Sequence, residues 1–132
     1  SIEDSLQNKI MIDATVPLMP PKVMRVQLPD IGSAALNAQS ILGEKTTVVS
    51  AFQNISAELL QTDAEIDCDV LVAGDFIDAR NTVIELAADV GLTGWHAGPL
   101  CNSVAAEALT SILIAINKKH SLAHSGIKIT GH

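Results

Sequence analysis

Tyrosine is absent from the 132 residues, and Phe52, Phe76 and Trp95 are the only aromatic side chains. Basic residues are scarce as well: 8 Lys and Arg stand against 15 Asp and Glu, for a net charge of −7. A chain short of both stacking rings and positive charge is a poor partner for nucleic acid, so that class is excluded. Its acidity implies solubility. The two cysteines, Cys68 and Cys101, fit no metal or redox spacing, and a disulfide framework is not expected. Cys68, in "DCDVLV", reads as a small buried apolar residue. Long hydrophobic runs are missing too: "ILIAI" (112–116) falls far short of the ~20 residues of a membrane span. The opening "SIEDSLQNKI" is polar and is no signal peptide, so a cytoplasmic location is expected. No GxGxxG or GxxxxGK[ST] cradles a phosphate, and no GxSxG presents a nucleophile.

What is present is aliphatic. Hydrophobic residues make up 48% of the chain and the mean hydropathy is +0.33, which suits layers of helix on sheet and excludes disorder. Strands are predicted at 9–16, where Pro17 ends "KIMIDATV", and at 46–52, 69–75, 92–98 and 126–130. Helices are predicted at 33–43, between a Ser33 cap and Gly43, and at 54–61, 75–91 and 102–119. In the third of these Asp75 is the expected cap. The order gives an α/β layered fold with a largely parallel sheet and helices on both faces, a single domain over 1–132. Four of the five prolines crowd into 17–33, either a functional loop or a plain surface excursion.

The residues with chemical potential are few. His120 and His124 are four apart, but they fall where the last helix ends and read as cations complementing its dipole. His96 and Cys101 lack an orienting partner, and packing accounts for Cys101. Gln53, Asn54 and Ser56 follow a strand directly; they would line the crevice at the strand ends or cap the short helix after them. "DATVP" (13–17) ends a strand at the same crevice. On the long helix Ser103, Glu107, Thr110, Ile114 and Asn117 form one stripe, opposite Val104, Ala108, Leu109, Ile112 and Ile116. That stripe reads as a solvated face or as a face toward a ligand or partner; Ser, Thr and Asn are poor helix formers for a purely wet surface.

"DATVP", "GSAA", "VVSAFQNISAELL", "DVLVAGD", "AGPL…AEALTSILIAIN" and "GIKITG", in this order, resemble the NADPH-dependent reductases of the deazaflavin coenzyme F420. The resemblance runs along essentially the whole chain and corresponds to the later part of such an enzyme. It implies the distal part of a Rossmann-like doubly wound sheet, with a long C-terminal helix and a final strand. It also implies hydride transfer between NADP(H) and coenzyme F420, with no catalytic side chain and no metal. Val16, Pro17, Gln53, Asn54, Ile55 and Ala57 would then meet the nicotinamide end of NADP. Glu107, Thr110, Ser125 and Gly126, with the 17–29 loop, would meet the deazaflavin or a second subunit. Gln53 stands where the resemblance predicts asparagine, and Lys128 where arginine is frequent. Family members begin with a glycine-rich loop and a 2′-phosphate acceptor, and this chain starts after both. A homodimer, or association with an N-terminal half, is therefore expected, without a membrane. An NADPH-linked ferric or cupric reductase and an inactive binding or dimerisation module are the alternatives.

Overall fold

Successive side chains of a strand point to opposite faces, so a run such as Val48-Val49 needs cover on both sides. The computed structural model, which describes Ser5 and residues 8–131, supplies it. Strand β1 (Ile10–Asp13) pairs in parallel with β2 (Thr47–Ser50), and β3 (Asp69–Val72) pairs in parallel with β4 (Thr93–His96). The helices are α1 (Ala34–Leu42), α2 (Ala57–Leu60), α3 (Ile77–Asp89) and α4 (Ser103–His120), the last entered through a 3-10 turn at Leu100–Asn102. Val49 is buried with Ala51, Val70, Val72, Ala79, Val83 and Ala87, between the strands and α3. Val48 joins Ala35 and Leu100 in a second cluster, under α1. Each fully buried valine contributes about 1.5–3 kcal/mol. Helices cover both faces, as the sequence predicts.

The sheet is less continuous than expected. Among the described residues the two parallel pairs are joined only where Ser50 and Ala73 exchange backbone bonds of 2.8 and 3.0 Å. Strands are also shorter than predicted, because β-branched sequence continues past the last ladder bond. Residues 126–130 form no ladder: the segment is held by a bond from Asp69 N to Ile127 O (2.9 Å) and one from Ile129 N to Asp69 Oδ2 (2.8 Å).

Helix ends follow the sequence in one case and not in two. Ser33 Oγ accepts from Leu36 N at 3.1 Å, and Gly43 closes α1 at φ 75°, a backbone conformation that favours glycine. Asp75 does not cap α3. Its carboxylate instead accepts from Leu100 N at 2.9 Å, fastening the start of the 3-10 turn, and Phe76 takes the cap position without a side-chain bond. The short helix shrinks to four residues, and its Ser56 makes no cap bond either.

Candidate functional site

β1 and β2 run in parallel, so their carboxyl ends open on the same side, the usual location of a ligand crevice in such sheets. Two devices shape that end. The buried Asp13 folds the chain after β1, accepting from Thr15 N (2.8 Å) and Thr15 Oγ1 (2.6 Å). After β2, Phe52 adopts φ +72°, uncommon outside glycine, and turns the following amides inward.

Those amides tie the crevice together. Gln53 Nε2 donates to Asp13 O (2.9 Å) and Ser50 Oγ (2.8 Å), joining the ends of both strands. Asn54 Nδ2 donates to Ala106 O (2.9 Å) and Thr110 Oγ1 (3.2 Å) on α4. Thr110 Oγ1 in turn donates to Gln53 O at 3.1 Å. At the far end Ser125 N donates to Asn117 Oδ1 (2.9 Å) and Ser125 Oγ to Leu113 O (3.2 Å). Between them lies a groove of about 170 Å³ lined by Gln53, Asn54, Ile55, Thr110 and Ser125, with Leu113, Ile114, Asn117 and His124. Asn54 is thus spent on α4 rather than on capping α2.

Gln53 Oε1 has no partner. Among the described residues it is the one fully buried side-chain polar atom in that state. Burying an unpaired acceptor costs about 1–3 kcal/mol.

Glu107 lies apart from this groove. It is only 2% exposed, and Oε1 accepts from Ala34 N at 2.6 Å while Oε2 sits 3.3 Å from Ala35 N. The remaining first-turn donors of α1 go to Ser33: Leu36 N to its Oγ, Asn37 N to its carbonyl at 3.1 Å. All four N-terminal amides of α1 are therefore satisfied, two of them by a side chain from α4. Burial pushes the Glu107 carboxyl above the usual 4.5; the Ala34 and Ala35 amides pull it back, and Asp13 adds to the rise. A bond of 2.7 Å between Ser33 Oγ and Ser103 Oγ completes the contact of α1 with α4. Val16 and Pro17 meet Glu107 here, with Leu28, Gly32, Ala108 and Ser111, around a cleft of about 10 Å³.

Of the ten site residues expected from sequence, five line the groove, and Val16 and Pro17 gather with Glu107 at the small cleft. Ala57 is exposed at the start of α2. Gly126 packs against a neighbour: a Cβ built on it would collide with Cys68 Sγ and lie 3.1 Å from Cys68 Cβ. Sequence reasoning placed the 13–17 segment at the crevice, where Asp13 O accepts from Gln53 Nε2, but missed the Asp13 carboxylate and Ser50 as anchors and Leu113 and His124 as lining. A polar residue at a strand's last position was the available signal for the carboxylate and for Ser50. His124, expected at the end of α4, instead reaches Glu58 of α2 at 3.5 Å, while Lys118, Lys119 and His120 supply the basic residues in the last turn of α4. His96 and Cys101 are not brought together: His96 Nδ1 accepts from Arg80 Nε at 3.2 Å, and Cys101 is exposed rather than packed. Cys68, expected to be buried, is half-exposed at the margin of the core.

No protein-family profile matches the chain. It is 39% identical, over 98% of its length, to a protein of Methanothermobacter thermautotrophicus named F420-dependent NADP reductase. A Methanocaldococcus jannaschii protein of the same name is 37% identical over 98% of the chain. The chain spans 59% and 60% of the length of these two curated relatives. It is also 31% identical to the rat metalloreductase STEAP3, over 96% of the chain and 25% of that protein. A crystal structure from Arthrobacter, provisionally named an F420-dependent NADP reductase, superposes with a TM-score of 0.82 at 21% identity, covering 98% of this chain and 60% of the other. The likeness inferred from the ordered motifs is borne out along the chain, and so is the α/β fold.

Proposed function

We propose that the chain is the distal part of an oxidoreductase passing hydride between NADP(H) and coenzyme F420, with the crevice at β1 and β2 receiving the ring ends of both. The observation that carries this reading is the groove itself: Gln53, Asn54, Ile55, Thr110 and Ser125 converge there from three separate segments. The names of the relatives supply the cofactor pair.

Two features of the site fit such rings. At about 170 Å³ the groove takes a flat ring system and little more, whereas a pocket for a whole drug-sized ligand holds about 300–1,000 Å³. The orphaned Gln53 Oε1 suits a carboxamide N–H, and Ile55, Leu113 and Ile114 offer apolar surface to a ring face. When bound, the two cofactors supply the redox chemistry themselves, so no acid, base or nucleophile is needed from the protein. The chain's own work is alignment at about 3–3.5 Å and exclusion of water. Asn54 and Thr110 do the first by locking the 53–56 turn to α4. Val16, Pro17 and the 17–29 loop close over the side, and Glu107 and Gly126 hold their supports in place.

The reading includes a cytoplasmic enzyme working with a partner polypeptide, a second copy or an N-terminal half bearing a glycine-rich loop. No residue from 1 to 132 offers such a loop, and the net charge of −7 opposes an anionic ligand. Titration calorimetry should therefore find weak NADPH binding by the chain alone, restored by that half together with the deazaflavin absorbance change. Tight binding by the 132 residues alone would overturn the need for the half; a completed enzyme inert toward coenzyme F420 would overturn the reading. The STEAP3 likeness favours a second reading, NADPH-linked ferric or cupric reduction, and the same preparations decide it by metal reduction in place of the deazaflavin change.

A further inference from the structure

Aspartate is depleted in strands, yet Asp69 opens β3 at 7% exposure. A buried carboxylate needs partners, and this one finds two N–H donors. Its Oδ2 accepts from Ile129 N at 2.8 Å and from Trp95 Nε1 at 3.0 Å, while its backbone N donates to Ile127 O at 2.9 Å. Trp95 belongs to β4, the ladder partner of β3, so one residue joins the 127–129 segment to both strands. Lys128 adds an ion pair with Asp67, but both side chains are exposed, and such pairs hold little in water.

We propose that Asp69 is a positioning residue for the groove, acting through the segment it clasps. That segment forms the groove's far wall. His124 and Ser125 line it, and a Cβ built on Gly126 would lie 3.8 Å from Asn54 O, against the 53–56 turn. Ser125 is anchored to α4 by its N and Oγ, and Ile127 is anchored to Asp69 by its carbonyl. A single residue, Gly126, separates the two anchors, so the wall moves with the clasp. Glycine gives up more conformational freedom on folding than any other residue; with the clasp open, Gly126 becomes a hinge and Ser125 loses its fixed direction. A shift of about 1 Å in a group that orients reacting rings can cost on the order of 100-fold in rate. This inference rests on the reading of the groove as the ring site, and it names the residue, remote from the rings, that keeps one wall in place.

The test removes one donor and leaves β3 untouched. Ile129→Pro deletes the amide that Asp69 Oδ2 accepts, at a side chain 42% exposed, so the variant should fold. Trp95 is the single tryptophan and bonds the same oxygen, so its emission reports the clasp and should move to longer wavelength. In the 132-residue chain, amide exchange at Ser125 should accelerate about tenfold or more. In the completed enzyme the KM for coenzyme F420 should rise about tenfold while that for NADPH stays within about twofold, a split that general loss of stability would not produce. Ile129→Val keeps the amide and should match the wild type throughout. Asp69→Ala should reproduce the proline variant, and combining the two should accelerate Ser125 exchange no further, because both remove the same bond. Unchanged Trp95 emission or unchanged Ser125 exchange in Ile129→Pro overturns the proposal, as does a valine variant that behaves like proline or an equal rise in both KM values. A completed wild-type enzyme inert toward coenzyme F420 strikes the cofactor reading alone, and the exchange rate at Ser125 still decides the clasp.

Discussion

Removing the Glu107 side chain should cost more stability than its place on a surface-like stripe would suggest. In Glu107→Ala the Ala34 amide loses a charge-assisted bond of 2.6 Å, and the Ala35 amide a weaker one of 3.3 Å. Hydrogen bonds to charged groups are worth about 1.5–3 kcal/mol, and the longer contact adds little. Release of a buried charge offsets part of the loss, since burial is the main force acting on this carboxyl. The balance is a destabilisation of about 1–2 kcal/mol, or roughly 6 °C in Tm for a chain of this size. Urea unfolding followed by far-UV circular dichroism measures it, and amide exchange at Ala34 and Ala35 should accelerate. The pH dependence has a definite sign. A carboxyl raised above its usual 4.5 binds its proton more tightly in the folded state, so its contribution to stability falls as pH climbs from 4.5 through the raised value. Relative to Glu107→Gln, the wild type should therefore lose ground across that window and hold a constant difference above it. An alanine variant within about 0.5 kcal/mol of wild type, the range of ordinary surface changes, would refute the reasoning. A wild-type advantage that grew with pH would refute the electrostatic half.

Gly126→Ala should destabilise by about 1–3 kcal/mol through overpacking against Cys68, and Cys68→Ala in the same chain should recover most of it. Equal urea midpoints for the single and double variants would show that the segment yields instead. Thr110→Val should cost about 1–2 kcal/mol, because Gln53 O loses a donor and Asn54 Nδ2 one of two acceptors. In a completed enzyme the looser 53–56 turn should weaken deazaflavin binding as well, and an unchanged dissociation constant would dismiss Thr110 from the site.

Local rules made much of this fold legible. Ser33 and Gly43 bracket α1 in both sequence and structure because a cap and a positive φ are single-residue properties. Gln53 and Asn54 were visible as crevice residues because two amides directly after a strand have few other places to go. What could not be read was partner choice at a distance. Asp75 sits at an ordinary capping position, yet the closer donor is Leu100 N, supplied by a turn 25 residues away. Gly126 reads as the start of a strand and, by the resemblance, as a cofactor or subunit contact, until Cys68 is placed beside it.

Helix α4 carries the largest difference, and its cause lies in competition between two contacts. Apolar periodicity locates an apolar stripe; it does not say which neighbour that stripe meets. Inside this chain the neighbours of α4 are the open N-terminus of α1, the 53–56 turn and the 124–125 turn, all of them rich in unsatisfied backbone groups. Such groups demand polar partners, and Glu107, Thr110 and Asn117 answer that demand from one side of the helix, while Ser103 beside them bonds the Ser33 hydroxyl. An aliphatic face turned inward would have left those amides and carbonyls unpaired, at about 1–3 kcal/mol each. Exposing Ile112 and Ala105 costs less than that per residue. The same polar stripe, with Ala106 and Leu113 buried beside it, thus supports the crevice from behind and leaves Ile112 and Ala105 to face outward.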